Sequence, residues 1–113
     1  MLNKIDLEKA AYVVSFASHL PAPAAGASTD DAYDKTAAFM VKLALEEYEC
    51  LGVHTARGAD GVGITLSYWA DMESIHAWRG DKRHQLAQQK GRDQWYSAFC
   101  LTVSKIERAY DFG

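Results

Sequence analysis

The sequence has little of what staples a small fold or binds an ion. Its 113 residues include only two cysteines, Cys50 and Cys100, far apart and in no CxxC pairing. Neither a disulfide framework nor a local thiolate site is therefore encoded, and both cysteines, set in apolar stretches, are expected to be reduced core thiols. The four histidines, His19, His54, His76 and His84, show neither HxH nor HExxH spacing, so a metal site would have to be assembled from distant elements. GxSxG is missing and no cysteine has an evident partner base, which leaves hydrolytic nucleophiles without local support. Gly61-x-Gly63 is too short for a phosphate loop and lies between two extended runs.

An excess of one charge is missing as well. Twelve Lys and Arg against 15 Asp and Glu give a net charge of -3, without the basic block that tracks nucleic-acid phosphates. No stretch approaches the ~20 apolar residues of a membrane helix. A leader-like segment, with Lys4 and Lys9 near the apolar run Ala10 to Ala17, is spoiled by Asp6, Glu8 and Ser15, so a soluble, cytoplasmic protein is expected. Arg79-Gly80-Asp81 spells an adhesion tripeptide, but a helix break accounts for it. No internal repeat is present.

What the chain does have is apolar mass for one core: 49% hydrophobic and 12% aromatic residues in a single-domain length. At this size folding hides roughly two thirds of the unfolded surface. Tyr12 to Ser18 is rich in β-branched and aromatic residues and reads as a strand, followed by a Pro/Ala/Gly/Ser loop from Pro21 to Thr29. Asp30 or Asp31 caps a helix whose apolar face recurs at Tyr33, Ala37, Met40, Ala44 and Tyr48, flanked by Phe39, Val41, Leu43 and Leu45. Leu51 to Arg57 and Val62 to Trp69 read as strands joined by a turn at Asp60-Gly61. Asp71 and Asp81 cap two short helices, Met72 to Arg79 and Lys82 towards Gly91, with Gly80 between them. Trp95 to Tyr110 alternates as a long final strand, with a parity break between Val103 and Ile106 that predicts a bulge.

Strand, helix, strand, strand, helix, strand is the ferredoxin-like βαββαβ order, an α+β fold with a four-stranded antiparallel sheet and its helices on one face. Val13, Ala17, Thr65 and Ala98 are expected on the other face, small and only half polar. A second copy is expected to cover it in a homodimer.

The C-terminal half carries Ser67-Tyr68-Trp69, Ala77-Trp78, His84, Gly91-Arg92, Trp95-Tyr96 and Arg108-Ala109-Tyr110. This set, from Val62 to Phe112, resembles the antibiotic biosynthesis monooxygenase (ABM) domain family of dimeric α+β barrels. The resemblance implies three classes of role, since members oxidise polycyclic aromatic substrates with molecular oxygen and no metal or flavin, bind and degrade haem, or have no assigned activity; a non-catalytic dimeric small-molecule binding module is the further alternative. It also implies a pocket between the sheet and the helices.

Cofactor-free oxygenation needs a base, donors for the resulting anion and a dry aromatic cavity. His84 is the expected base, since a histidine titrates near neutrality and modest desolvation keeps it neutral. Trp78 and Tyr68 are the expected catalytic donors, and Trp95, Phe99, Tyr96 and Phe39 the expected substrate-binding aromatics. Core packing is the competing reading of each aromatic, and a structural role that of His84. For haem, the resemblance places the iron-binding histidine about one helical turn beyond His84, where this chain has Gln88, a poor iron ligand. Arg79, Lys82 and Arg83 offer charge for haem propionates, or a solvated helix face. Arg92 and Arg108 are expected in structural ion pairs. The expected cofactor is none, with haem the alternative, and the expected partners are a small aromatic or quinol-type substrate, oxygen and a second copy.

Overall fold

A computed structural model describes residues 2–21 and 31–113. The elements run β1 (Tyr12–His19), α1 (Asp31–Glu47), β2 (Gly52–Arg57), β3 (Val62–Trp69), α2 (Met72–Gly80), α3 (Lys82–Lys90) and β4 (Ala98–Lys105), with a π-helical turn at Gly91–Trp95. The strands form one antiparallel sheet in the order β2-β3-β1-β4, as the ferredoxin-like reading requires. The Asp30 cap, and the loop beyond Pro21, lie outside the described residues.

Local chemistry explains the element ends. Asp71 Oδ1 accepts from Ser74 N at 2.7 Å and Asp81 Oδ1 from Arg83 N at 2.7 Å, so each aspartate satisfies an orphan donor of its helix. The turn between β2 and β3 closes through Gly61 N to Gly58 O at 3.0 Å, with Gly61 at φ +86°, a conformation glycine adopts without strain.

The last strand is shorter than the sequence predicts. Trp95 belongs to the π turn, and β4 starts at Ala98, paired with His19. Pairing with β1 is regular from there to Lys105, beyond which Ile106 N donates to Ala11 O at 2.8 Å. The parity break therefore falls where the strand ends, and no bulge interrupts it.

Register then assigns faces, because alternate residues of a strand point opposite ways. Val14, Val53, Ser67 and Val103 form one row across the helix-covered face, and Phe16, Thr55, Thr65 and Leu101 the next. Thr65 is thus on the helix side, contrary to expectation, while Val13, Ala17 and Ala98 are on the opposite face. Cys100 pairs with Ala17 there and is exposed; Cys50 alone is a core thiol, and both are free. The core gathers Val14, Ala44, Cys50, Val53, Trp69 and Ile75, the last two fully buried. Each such large side chain contributes roughly 1.5–3 kcal/mol by burial.

Candidate active site

Between the helix-side face of the sheet and α1, α3 and the π turn lies a mostly apolar cavity of about 370 Å³. Strand alternation delivers Val14, Phe16, Thr55, Thr65, Ser67, Phe99 and Leu101 to its floor. Helix α1 supplies Tyr33, Ala37, Met40, Val41 and Ala44, positions three and four apart on one face. Trp78, His84, Gln88, Trp95 and Tyr96 complete the wall.

At one end, three rings are layered. Trp69 lies 5.2 Å from Trp78, and Trp78 stacks on His84 with centroids 4.0 Å apart and an interplanar angle of 26°. His84 is buried, and its Nδ1 lies 3.1 Å from the Trp78 carbonyl oxygen. A carbonyl only accepts, so Nδ1 carries the proton and the Nε2 of the neutral ring keeps a lone pair. Nε2 has no hydrogen-bond partner among the described residues. Burial pushes the imidazole below its ordinary 6.5, against the Trp78 carbonyl and Asp81, which favour the charged form. The indole N–H of Trp78 is buried without a hydrogen-bond partner among the described residues.

The π turn shapes the opposite wall. Its wider winding brings successive residues Trp95 and Tyr96 into the lining together, and Tyr33 meets both rings edge-on at 5.3 and 5.8 Å. Gly91 lies against the Tyr96 ring, where an added Cβ would come within 2.9 Å of Cδ2. Tyr96 OH donates to Tyr33 OH at 3.1 Å, and burial, with that bond, raises its phenol well above the ordinary range. Tyr96 is therefore a protonated donor across the working range, not a base.

Of the residues expected at the site, His84, Trp78, Trp95, Tyr96 and Phe99 are brought together around this cavity. Tyr68 is not: with Ser67 and Trp69 turned to the helices, it faces the opposite side of the sheet, its hydroxyl 3.2 Å from His54 Nδ1. Phe39 is not either, being 45% exposed, because it lies two residues beyond the inward-facing Ala37 on α1. Arg92 donates to Gln89 at 3.1 Å and Arg108 lies over the Tyr110 ring, and neither forms the expected ion pair among the described residues. Among the lining residues not expected at the site from sequence are Phe16, Tyr33 and Arg57; for Arg57 the alternation Val53, Thr55, Arg57 on β2 was the available signal.

Haem would ask more of this lining than it offers. Gln88 stands where the resemblance places the iron ligand, and none of Arg79, Lys82 and Arg83 lines the cavity. Arg83 is committed to Asp81 and Glu47 at 2.8 and 3.2 Å. One imidazole and one lining guanidinium do not fit an iron with two propionates. Among the described residues no cluster of three His, Cys, Asp or Glu could hold a metal ion, and no helix is long and apolar enough to cross a membrane.

No protein-family model matches the chain. It is 46% identical over 79 residues to the uncharacterized protein YqjZ of Bacillus subtilis, covering 70% of this chain and 69% of that protein. A shorter stretch of 43 residues, 38% of this chain, is 37% identical to the jasmonate monooxygenase ABM of Pyricularia oryzae and spans only 20% of it. Among solved structures, a candidate antibiotic biosynthesis monooxygenase of Deinococcus radiodurans superposes with a TM-score of 0.69 at 14% identity, over 89% of this chain and 98% of that one.

Proposed function

The chain belongs to the same family as YqjZ and has the antibiotic biosynthesis monooxygenase (ABM) fold, and on that footing we propose that it is a cofactor-independent monooxygenase acting on a small aromatic or quinol-type substrate. The observation that carries the reading is the buried imidazole of His84, the one histidine in an aromatic, apolar cavity, with Nδ1 fixed on a carbonyl and Nε2 left as the base.

In this reading an aryl hydroxyl gives its proton to His84 Nε2. The electron-rich aryloxide passes one electron to oxygen, and the radical pair closes a C–O bond at an ortho or para ring carbon bearing hydrogen. His84 returns its proton to the peroxide. Loss of water, with the hydrogen of that carbon, breaks the O–O bond and leaves a carbonyl, so one oxygen atom enters the product and the other departs in water. Trp78 N–H, buried and without a hydrogen-bond partner among the described residues, is the donor proposed for the developing oxyanion. Trp95, Tyr96 and Phe99 give planar rings a stacking wall and keep water out. Tyr68 and Phe39, away from the cavity, have no part in it.

The active form is proposed to be a cytoplasmic homodimer. The support for the dimer is the uncovered sheet face, where Val62 and Ile64 are 49% and 51% exposed.

Oxygen uptake with naphthoquinol tests the reading. His84→Ala and His84→Gln should each lower turnover by about 10²-fold or more with the fold unchanged by circular dichroism, the usual scale for loss of a general base. Native turnover retained in both variants, or no uptake by the native protein with any quinol, would overturn it.

A further inference from the structure

The sheet carries a second polar feature at the other end of the cavity. Arg57 lies on β2 opposite Gly63, six residues along β3 from Trp69, which packs against Trp78. That separation is roughly 20 Å along a strand. Arg57 is the one side chain with a formal charge in the described lining.

Its guanidinium has a prepared seat. A Cβ on Gly63 would come within 2.6 Å of Cζ, so the glycine is what lets the planar group lie across the sheet. Nη1 donates to Gly61 O at 2.5 Å, and Nη2 donates to Ser18 Oγ at 2.8 Å and to Tyr33 OH at 3.3 Å. Every one of these partners is neutral. The carboxylate ion pairs among the described residues belong to Lys4 and Arg83, so Arg57 has no carboxylate partner among them. Nε–H makes no hydrogen bond among the described residues, and together with the long Nη2 contact to Tyr33 it offers the side-on fork that a carboxylate accepts. A brace alone would need none of the positive charge; an anion-binding arm needs charge, fixed geometry and a vacant edge together.

We propose that Arg57 binds the carboxylate of the substrate, and that the site takes aromatic acids whose ring reaches from this mouth of the cavity towards His84. This names the substrate class of the site proposed above and rests on that reading for where the ring lies. The anchoring is tested by binding alone, so it succeeds or fails independently of oxygenation.

The probes are a naphthoquinol bearing a propanoate side chain and its methyl ester, titrated under anaerobic conditions by quenching of tryptophan fluorescence. The native protein should bind the acid about tenfold or more tightly than the ester, the scale of one charge-assisted fork. Arg57→Gln should erase the preference by weakening the acid only. Gly63→Ala, which keeps the charge and dislodges the guanidinium, should reduce it, and His84→Ala should leave it intact. Equal affinity for acid and ester in the native protein, no binding of the acid, or a preference that survives Arg57→Gln would each overturn the assignment. Selective acid binding without oxygen uptake would uphold Arg57 and refute the oxygenase reading.

Discussion

Substitution of Trp78 by Phe isolates the buried indole N–H from the ring that carries it. Phe keeps an aromatic face for His84 at the 4.0 Å stack and for Trp69 behind it. The lost hydrocarbon is about two carbons, worth roughly 1.6 kcal/mol at ~0.8 kcal/mol per buried carbon, plus a small cavity cost. Against this, the change deletes a buried donor without a partner, whose desolvation costs about 1–3 kcal/mol. The opposing contributions nearly cancel, so Trp78→Phe should alter unfolding stability by less than about 1.5 kcal/mol, a small effect for a tryptophan packed against the core. Urea titration followed by far-ultraviolet circular dichroism reads this directly as a change in midpoint at constant slope. In parallel, affinity for a quinol should fall, because the donor meant for its oxygen is gone. A loss above about 3 kcal/mol would refute the reasoning, since it would mean the N–H contributes to the native state. Near-neutral stability with unaltered ligand affinity would leave Trp78 as packing only.

The pH dependence of kcat/KM should show an acid limb below 6.5, since burial lowers the folded pKa of His84 and the base works only when neutral. The same shift makes His84 favour the native state above 6.5 and erodes that contribution as pH falls through the folded pKa, because the unfolded chain takes up the proton first. Asp81 behaves in the opposite chemical class: Arg83 and Tyr48 hold its carboxyl well below the usual range, so its stabilisation is full above that range and disappears as pH falls through it. Asp81→Asn should therefore lower the melting temperature at neutral pH and flatten its decline in acid. Gly61→Ala should lower the melting temperature at every pH, since a Cβ there meets Leu20 O at 2.3 Å at a positive φ. Ile64→Lys on the uncovered face should give a monomer by light scattering with helical content intact; a dimer that tolerates the charge would move the subunit interface elsewhere.

Much of the fold was legible because its signals are local. The caps at Asp71 and Asp81, the Asp60-Gly61 turn and the run Val62–Trp69 depend on neighbours in sequence, and the structure has them where the residues place them. Faces were less legible. Alternation tells that Ser67 and Tyr68 point apart, yet only pairing with Val14 and Val53 shows that Ser67 takes the helix side. On α1, Phe39 is as apolar as Met40 and differs only in rotation about the axis, which tertiary packing fixes. Arg57 was hidden for another reason: beyond the adjacent turn at Gly61, its seat draws on Gly63, Ser18 and Tyr33, one from each of three other elements, and no single window of sequence contains them.

The contact between Gly91 and Tyr96 makes cavity width a property of one backbone position. A methyl at residue 91 would have to displace the Tyr96 ring it approaches at 2.9 Å, and that ring stands edge-on to Phe16 at 5.5 Å and Tyr33 at 5.8 Å. The displacement would pass to the floor and the α1 wall at once, and to Arg57, whose guanidinium lies 6.0 Å over the same ring. Relatives that differ at this position would thus differ in the breadth of ring they admit while keeping the same chemistry, and a graded series of side chains at residue 91 would turn substrate range into an adjustable trait.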